Sequence, residues 1–333
     1  MDTIPLRSPR YEILIAPATS VTAKLELTLD STLRYTIEKS CTAGSTSVFE
    51  ISELCRDYLT LPTMWTISTN YFINPGQVEI SRAIKFYNSS GVQQGTTNTI
   101  AYNGFEGYGE WKDGANPVIK NDSASAFLIS KLNSSYEVWA PASTSIKLCG
   151  VDTNADMVAL TNITSGTSNS TYIYRSSTLN INVVDCTKYT PTEVYFINKK
   201  GALQVLFFFT KKVDSLKTKS ETFQKNIIDT SEITPSYFRP KTNNYSSYPH
   251  AVETFNKNGV TSYKLSSGYY PERANTYFEE LLMSEYVWIV IDNLPTPVTI
   301  KSSSMIYKTT LNDKLIEYSF DFTEAVDYIN NIR

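Results

Sequence analysis

Apolar and polar side chains alternate with a period of two along much of this chain. From Ala23 to Leu29 every second residue is apolar, and the alternation resumes at Leu33 and continues to Ile37 after a turn of Asp, Ser and Thr. Such alternation is typical of an antiparallel sheet with one buried face and one face in solvent. We therefore predict a β-hairpin over residues 23–39.

The pattern changes twice before residue 90. A short helix is predicted over residues 52–59, where Ser52 can cap the first turn and apolar side chains, including Cys55, share one face. A strand with alternating apolar residues follows at 77–87. Arg82 interrupts its apolar stripe, which predicts a strand at the edge of a sheet or with an exposed end.

The most apolar segment lies within VYFINKKGALQVLFFFTKK, residues 194–212. Residues 202–209 would form a strand with two apolar faces, entered through a turn at Gly201. Such a strand needs cover on both faces. One cover is the protein's own second sheet, and the other is either a neighbouring subunit or a further part of the same chain. The candidate interface residues are Leu203, Val205, Leu206, Phe207, Phe208 and Phe209.

The C-terminal part contains a helix pattern and a strand pattern in succession. Residues 271–284 form the clearest helix pattern of the chain, with Pro271 suited to its first turn. The strand that follows at 286–292 is expected to end at Pro295 and Pro297.

The end of the chain predicts a hairpin and a helix. Residues 300–322 alternate clearly near their end and turn around residues 312–314. A short helix is predicted over residues 323–332.

Composition shifts near residues 90 and 187 divide the chain into three parts. We predict an N-terminal β-sandwich-like domain at 1–90, a loop-rich β domain or insertion at 91–186, and a C-terminal β domain at 187–333. With 23 Tyr and 15 Phe, residues that favour β-sheets dominate. The expected fold class is mainly β: two or three antiparallel β-sandwich-like domains with a few short helices.

The charge balance bears on partners and location. The chain carries 30 basic and 33 acidic residues, and its net charge of -3 argues against a nucleic-acid partner, which needs a basic face. The densest basic cluster, residues 211–225, is interrupted by acidic residues and is interpreted as a solvated strand or loop. No apolar run approaches the roughly 20 residues of a membrane-spanning helix. Without a secretory signal pattern, synthesis in a cytoplasm is expected.

Residues suited to catalysis or metal binding are sparse. The four cysteines form no C-x-x-C pair and the chain has one histidine, His250, so we expect no metal site and no cofactor. A Cys41–Cys149 pairing stays open. His250 lies in a polar loop without a nucleophile motif, and we expect no catalytic residue and no enzymatic activity.

The loop GFEGYGEWKDGANP, residues 104–117, is rich in turns and aromatic side chains. It lacks the Lys-Ser/Thr of a phosphate-binding loop and is interpreted as a tight aromatic turn. Tyr108 and Trp111, beside acidic residues, are the candidate glycan contacts.

Four stretches together carry a family resemblance. They are STLRYTIEKSCTAGSTSVFEISELCRDYL, AYNGFEGYGEWKDGANPVI, CTKYTPTEVYFINKKGALQVLFFFTKK and the segment from FEELLMSEYVWI to the last residue. In this order they resemble virion structural proteins of tailed phages and prophages infecting Bacteroidetes-type hosts. The resemblance covers most of the chain and implies a place in the tail or baseplate region, without assigning binding residues.

The expected function is that of a structural subunit in a tail, baseplate, neck or collar assembly of a virion. Its expected partners are copies of itself in a symmetric ring and other phage virion proteins. The main alternative is a receptor-binding or adhesin module that recognises host surface glycans. A virion-associated hydrolase and a cellular β-sandwich protein are the remaining alternatives.

Overall fold

A computed structural model gives the structure of this chain. It describes residues 2–59, 77–118, 135–143, 145–151, 157–174, 177–184, 188–201, 203–224, 252–302, 304–306 and 316–329.

The described residues are mainly in strands. In chain order these are β1 (Asp2–Pro5), β2 (Tyr11–Ile15), β3 (Thr22–Leu29), β4 (Thr32–Ser40), β5 (Thr46–Glu50), β6 (Gln77–Tyr87), β7 (Gln93–Phe105), β8 (Ser135–Ala140), β9 (Ser145–Val151), β10 (Met157–Thr164), β11 (Ser170–Tyr174) and β12 (Ser177–Val183). They continue as β13 (Thr192–Ile197), β14 (Leu203–Phe208), β15 (Val213–Gln224), β16 (Val252–Tyr270), β17 (Val287–Ile291), β18 (Leu294–Ile300) and β19 (Ile316–Glu324). Within the described ranges the α-helices are α1 (Ser52–Arg56) and α2 (Asn275–Met283), and short 3-10 turns span Trp111–Asp113 and Glu272–Ala274.

The N-terminal part is built on a five-stranded sheet with the order β1-β7-β6-β3-β4. The predicted hairpin at 23–39 is confirmed as β3 and β4, which turn at Asp30 and Ser31 with positive φ. The β2–β5 pair and α1 contribute Phe49 and Cys55 to the buried cluster of this sheet. Strand β7 pairs with β6 and in parallel with β1, so this sheet continues across residue 90.

The prediction that Arg82 marks an edge strand is wrong. Its strand β6 is central, paired with β3 and β7, and Arg82 is only 2% exposed. The guanidinium lies 2.7 Å from Oε2 of Glu12 on β2, and it donates to the backbone oxygen of Asn98 at 2.9 Å. Tyr102 donates to Oε1 of Glu12 at 2.8 Å. The charge is tolerated because a carboxylate lying over the sheet pairs with it.

Helix α1 is shorter than the predicted 52–59. It starts at Ser52 but ends at Arg56, and a turn follows. Ser52 is the first helical residue, and its N–H donates at 2.7 Å to Oε1 of Glu50, whose carboxylate fills the capping role. Cys55 is buried in the core, as the apolar face predicts.

The C-terminal part is built on a seven-stranded sheet with the order β14-β13-β17-β18-β19-β16-β15. The helix predicted at 271–284 is confirmed in type, as α2 preceded by a 3-10 turn. The strand predicted at 286–292 is confirmed as β17, but it ends at a turn of Asp292 and Asn293, both with positive φ, and not at the prolines. Pro295 and Pro297 lie within the next strand, β18. Pairing of β18 with β19 starts only at Val298, so neither proline removes a donor from that ladder.

The last described residues differ from the predicted helix at 323–332. Thr323 and Glu324 belong to β19, and residues 325–329 bend without forming a helix. The backbone N–H groups of Tyr328 and Ile329 donate to Gly259 and Asn258 of β16, which fixes this segment on another strand. The predicted turn at 312–314 and residues 330–332 lie outside the described residues.

Between these parts lie a two-stranded sheet, β10-β9, and a three-stranded sheet, β11-β12-β8, in which β8 and β12 are parallel. Strands β8 and β9 contact β14. The expected mainly β, sandwich-like class with few short helices is confirmed. Among the described residues no helix combines the length and apolar character needed to span a membrane.

Candidate functional site

The six candidate interface residues of the apolar strand are all covered by the same chain. Their exposed fractions run from 0 to 7%. Phe208 packs edge-on against Phe278 of α2 and against Phe320 and Phe322 of β19, with ring centroids 6.1–6.2 Å apart. Strand β14 also contacts β8 and β9, and Val138 and Trp139 of β8 belong to the same hydrophobic core.

Of the two alternatives for the second cover of this strand, internal cover is therefore the one observed. Leu203, Val205, Leu206, Phe207, Phe208 and Phe209 present no surface to a neighbouring subunit in this fold. The apolar run reflects a strand enclosed on both faces within one chain. Any assembly surface lies elsewhere on the molecule.

A different strand is exposed along its whole length. All twelve residues of β15 are exposed, and β15 forms one edge of the seven-stranded sheet. It pairs with β16 from Val213 to Gln224, whereas β19 pairs with β16 only from Ser262 onward. Residues 217–224 and 252–260 therefore form a two-stranded ribbon beyond the sheet, which we call the arm.

The arm is braced at its base by the segment after β19. Asn258 donates through Nδ2 to Oδ2 of Asp327 at 3.2 Å, and its Oδ1 accepts the N–H of Ile329 at 3.0 Å. The backbone N–H of Tyr328 donates to the backbone oxygen of Gly259 at 2.7 Å. These bonds fix the direction in which the arm leaves the sheet.

The arm exposes apolar side chains although both of its faces meet solvent. Leu216 of β15, next to the base of the arm, is 54% exposed. Phe223 and Phe255 are exposed and pair across the two strands with ring centroids 5.8 Å apart. An isolated two-stranded ribbon is marginally stable in water, and long exposed edges are templates for pairing with another chain. Among the described residues, the arm thus combines exposed aromatic side chains with a strand at the edge of a sheet.

The sequence predicts the exposure of this segment but not its position in the sheet. The interpretation of residues 211–225 as a solvated strand or loop agrees with β15, which is a solvated strand. Its charged and polar residues occupy both faces, which is the signal for two-sided exposure. Edge position depends on strand order, which local pattern does not encode.

A charged junction connects the N-terminal sheet to the chain after α2. Arg56 makes a two-pronged contact with the buried carboxylate of Glu106, with distances of 3.1 and 2.5 Å, and also contacts Glu285. Arg7 lies 3.0 Å from Oε1 of Glu285. The hydrogen bond to Glu106 raises the pKa of Arg56 above its ordinary value. Burial favours a higher pKa for Glu285, but the two guanidinium groups outweigh it and the pKa is lowered.

The candidate glycan residues Tyr108 and Trp111 have different environments. Trp111 is 98% exposed at the start of its 3-10 turn. Tyr108 is half-buried, with the guanidinium of Arg7 5.2 Å from its ring centroid, and burial raises the pKa of its hydroxyl. The backbone N–H of Tyr108 donates to the oxygen of Lys199 at 2.9 Å, so this residue contributes to the junction.

The carboxylates of this loop are neutralised by lysines. Nζ of Lys199 lies 2.6 Å from Glu110 and 3.1 Å from Asp113. Lys112 and Lys199 lower the pKa of Glu110, and the backbone N–H of Glu110 together with Lys199 lowers the pKa of Asp113. A glycosidase needs one protonated carboxylic acid, and these two groups are held ionised instead.

A cavity of about 560 Å³ opens beside this loop and is lined by Tyr108, Lys112, Asp113, Asn116, Lys199 and Lys200, among others. On α2, Glu280 is buried, and burial raises the pKa of its carboxyl to about 7. The adjacent Glu279 is only partly buried, so Glu280 is the buried one of the two.

Other sequence-level candidates add no site. Cys41 and Cys55 are free thiols, and the side chain of Cys149 lies outside the described part of the chain. Within the described ranges, no group of three or more His, Cys, Asp or Glu side chains is arranged to hold a metal ion. His250 lies outside the described residues.

Comparison of the chain with protein-family models found no match. Comparisons with curated proteins and with solved structures found no match either.

Proposed function

We propose that this chain is a structural, non-catalytic subunit of a tailed-phage virion, in its tail, baseplate, neck or collar. It would work by symmetric self-association and by docking other virion proteins, without a cofactor. The resemblance of its four sequence stretches to such virion proteins supports the class of assembly.

The exposed arm is the observation that carries this proposal. Strand β15 has twelve exposed residues at a sheet edge, with Leu216 and Phe223 among them and the exposed Phe255 beside it on β16. Such an edge suits a protein that is completed by a neighbour. The rest of the molecule is held by its own contacts, because β14 is enclosed and Arg56, Glu106 and Glu285 join the N-terminal part to the chain after α2.

The mass of the purified chain tests the self-association. Light scattering over about a hundredfold range of protein concentration should give a discrete oligomer that forms as concentration rises. Replacing both Phe223 and Phe255 by Ser should shift this equilibrium toward monomer, since the two rings leave the arm surface. The matched control is Tyr269→Ser, which removes an exposed aromatic ring outside the arm. A monomer at every concentration would contradict self-association as the working principle.

A second candidate function, glycan recognition on the virion, rests on Trp111. A fully exposed indole can stack on a pyranose ring, and the acidic and basic groups beside it can bind hydroxyls. The chain should then bind host surface glycans on an array, and Trp111→Ala should lose that binding while Tyr269→Ala keeps it. Equal glycan signals for wild type and Trp111→Ala would remove this candidate.

A further inference from the structure

Within the described part of the chain, the outer edge of β15 has no paired strand. No described strand pairs with it on the side away from β16, and all its residues remain exposed. The one irregularity of the β15–β16 ladder places two residues of β16, Asn256 and Lys257, against Ser220 alone. Strand β15 itself is therefore regular, which leaves a straight edge available for a further strand.

The charges along β15 discriminate among partners that could fill this edge. The strand carries Asp214, Lys217, Lys219 and Glu221 in a mixed order. A second copy of the same strand running antiparallel presents these charges in reverse. Directly opposed residues of an antiparallel pair have their side chains on the same face of the sheet. In a pair of identical strands, one residue must therefore lie directly opposite its own copy, and the two-fold axis passes between these two residues.

When the two-fold axis lies beside a charged residue or between two lysines, like charges of the two copies face each other. Centring the pair on Asp214, Lys217, Lys219 or Glu221 sets that charge against itself, and centring it on Thr218 opposes Lys217 to Lys219 of the second copy.

One position of the axis within the strand brings opposite charges face to face and places no like charges opposite each other. With Ser220 on the axis, Lys219 faces Glu221 of the second copy, and the symmetry repeats this pair. Thr218 then faces Thr222 of the second copy, and Lys217 faces the exposed ring of Phe223. Opposite-charge, Thr–Thr and cation–ring contacts are the cross-strand pairs that stabilise sheets. Residues 216–224 overlap over about 30 Å.

We propose that β15 pairs antiparallel with β15 of a second copy of this chain, with Ser220 at the two-fold axis. This inference rests on the proposed self-association and names its surface and register. The contact is isologous, so it gives a dimer, or an even-numbered ring of dihedral symmetry when combined with another interface.

Disulfide trapping in the full chain tests the register. Opposed Cα atoms lie about 4.5–5.5 Å apart, which a disulfide spans. Ser220→Cys should cross-link to a dimer under mild oxidation. Thr218→Cys and Thr222→Cys should not cross-link alone, but a mixture of the two should. Wild type, with its native cysteines, gives the background.

Charge exchange tests the pairing without a covalent bond. Lys219→Glu should weaken self-association roughly tenfold or more, because two attractive pairs become repulsive. Adding Glu221→Lys to it should restore the wild-type affinity, since the same pairs re-form with reversed signs. The control Lys217→Glu changes an equal charge on the same face and should not be rescued by Glu221→Lys.

The outcomes separate this inference from the function on which it rests. If the wild type forms an oligomer but Thr218→Cys cross-links in place of Ser220→Cys, the proposed register is wrong and self-association still holds. The same conclusion follows if Glu221→Lys does not rescue Lys219→Glu. A discrete trimer also overturns the two-fold contact. A wild type that stays monomeric at all concentrations overturns both.

Discussion

At the scale of single residues, Glu280 has the carboxyl group whose protonation the fold alters most clearly. It is 8% exposed on α2, and burial raises its pKa to about 7 from an ordinary value of 4.5, although the backbone N–H and the charge of Lys199 act in the opposite direction. Between these two pH values the unfolded chain has released this proton and the folded chain has kept it. The free energy of unfolding therefore falls as pH rises from about 4.5 to 7.

Glu280→Gln should remove this contribution. The variant should be more stable than wild type at pH 8, by about 3 kcal/mol at most, with the gain vanishing near pH 4. Urea denaturation at several pH values measures it. The neighbouring Glu279→Gln, on a more exposed side chain, should keep most of the wild-type dependence between pH 4.5 and 7, because burial and not the charge of Glu279 is the main cause of the raised pKa of Glu280. An equal stability difference between Glu280→Gln and wild type at pH 4 and pH 8 would refute the assignment.

At the scale of elements, two glycines bring the turn before β14 against the end of β7. A Cβ on Gly107 would lie 2.7 Å from the backbone oxygen of Lys199. Gly201 has a φ of +81°, and a Cβ there would lie 2.9 Å from Cβ of Phe105. The elements approach so closely because neither position carries a side chain.

Gly201→Ala should therefore destabilise the chain by more than backbone strain alone. Gly44 is the matched control, because its φ is +76° and a Cβ added there would have no neighbouring atom within 4 Å. Gly44→Ala should cost about 1 kcal/mol and Gly201→Ala about 2–4 kcal/mol, as strain and overpacking add. Guanidinium denaturation compares the two variants, and equal costs would mean that the turn before β14 adjusts freely.

Local pattern predicts those elements whose stability is decided nearby. The hairpin of β3 and β4, the core position of Cys55, helix α2 and the positive φ of Gly201 all follow from periodicity or turn chemistry. The position of Arg82 does not follow, because its partner Glu12 lies 70 positions earlier in the sequence and meets it only in the fold. The cover over β14 and the edge position of β15 likewise depend on strand order, which a local pattern does not contain.

At the scale of the whole molecule, the strand that the sequence offers as a candidate interface is not the strand that the fold leaves exposed. The apolar strand β14 is enclosed by the chain itself, while the mixed, polar strand β15 is left open. The junction of Arg7, Arg56, Glu106 and Glu285 holds the N-terminal sheet to the chain after α2. Self-association through the arm then requires no rearrangement of either core.

Hydrogen exchange of the wild-type chain at low and high protein concentration tests this account most directly. Backbone amides on the open edge of β15 should exchange quickly in dilute solution and become protected at high concentration. Amides of β14, already enclosed, should be protected at both concentrations and serve as the internal control. Protection that rises within residues 216–224, the proposed overlap of the two copies, is the predicted result. Rapid exchange of this segment at every concentration, or new protection confined to other strands, would contradict the claim that the arm is the assembly surface.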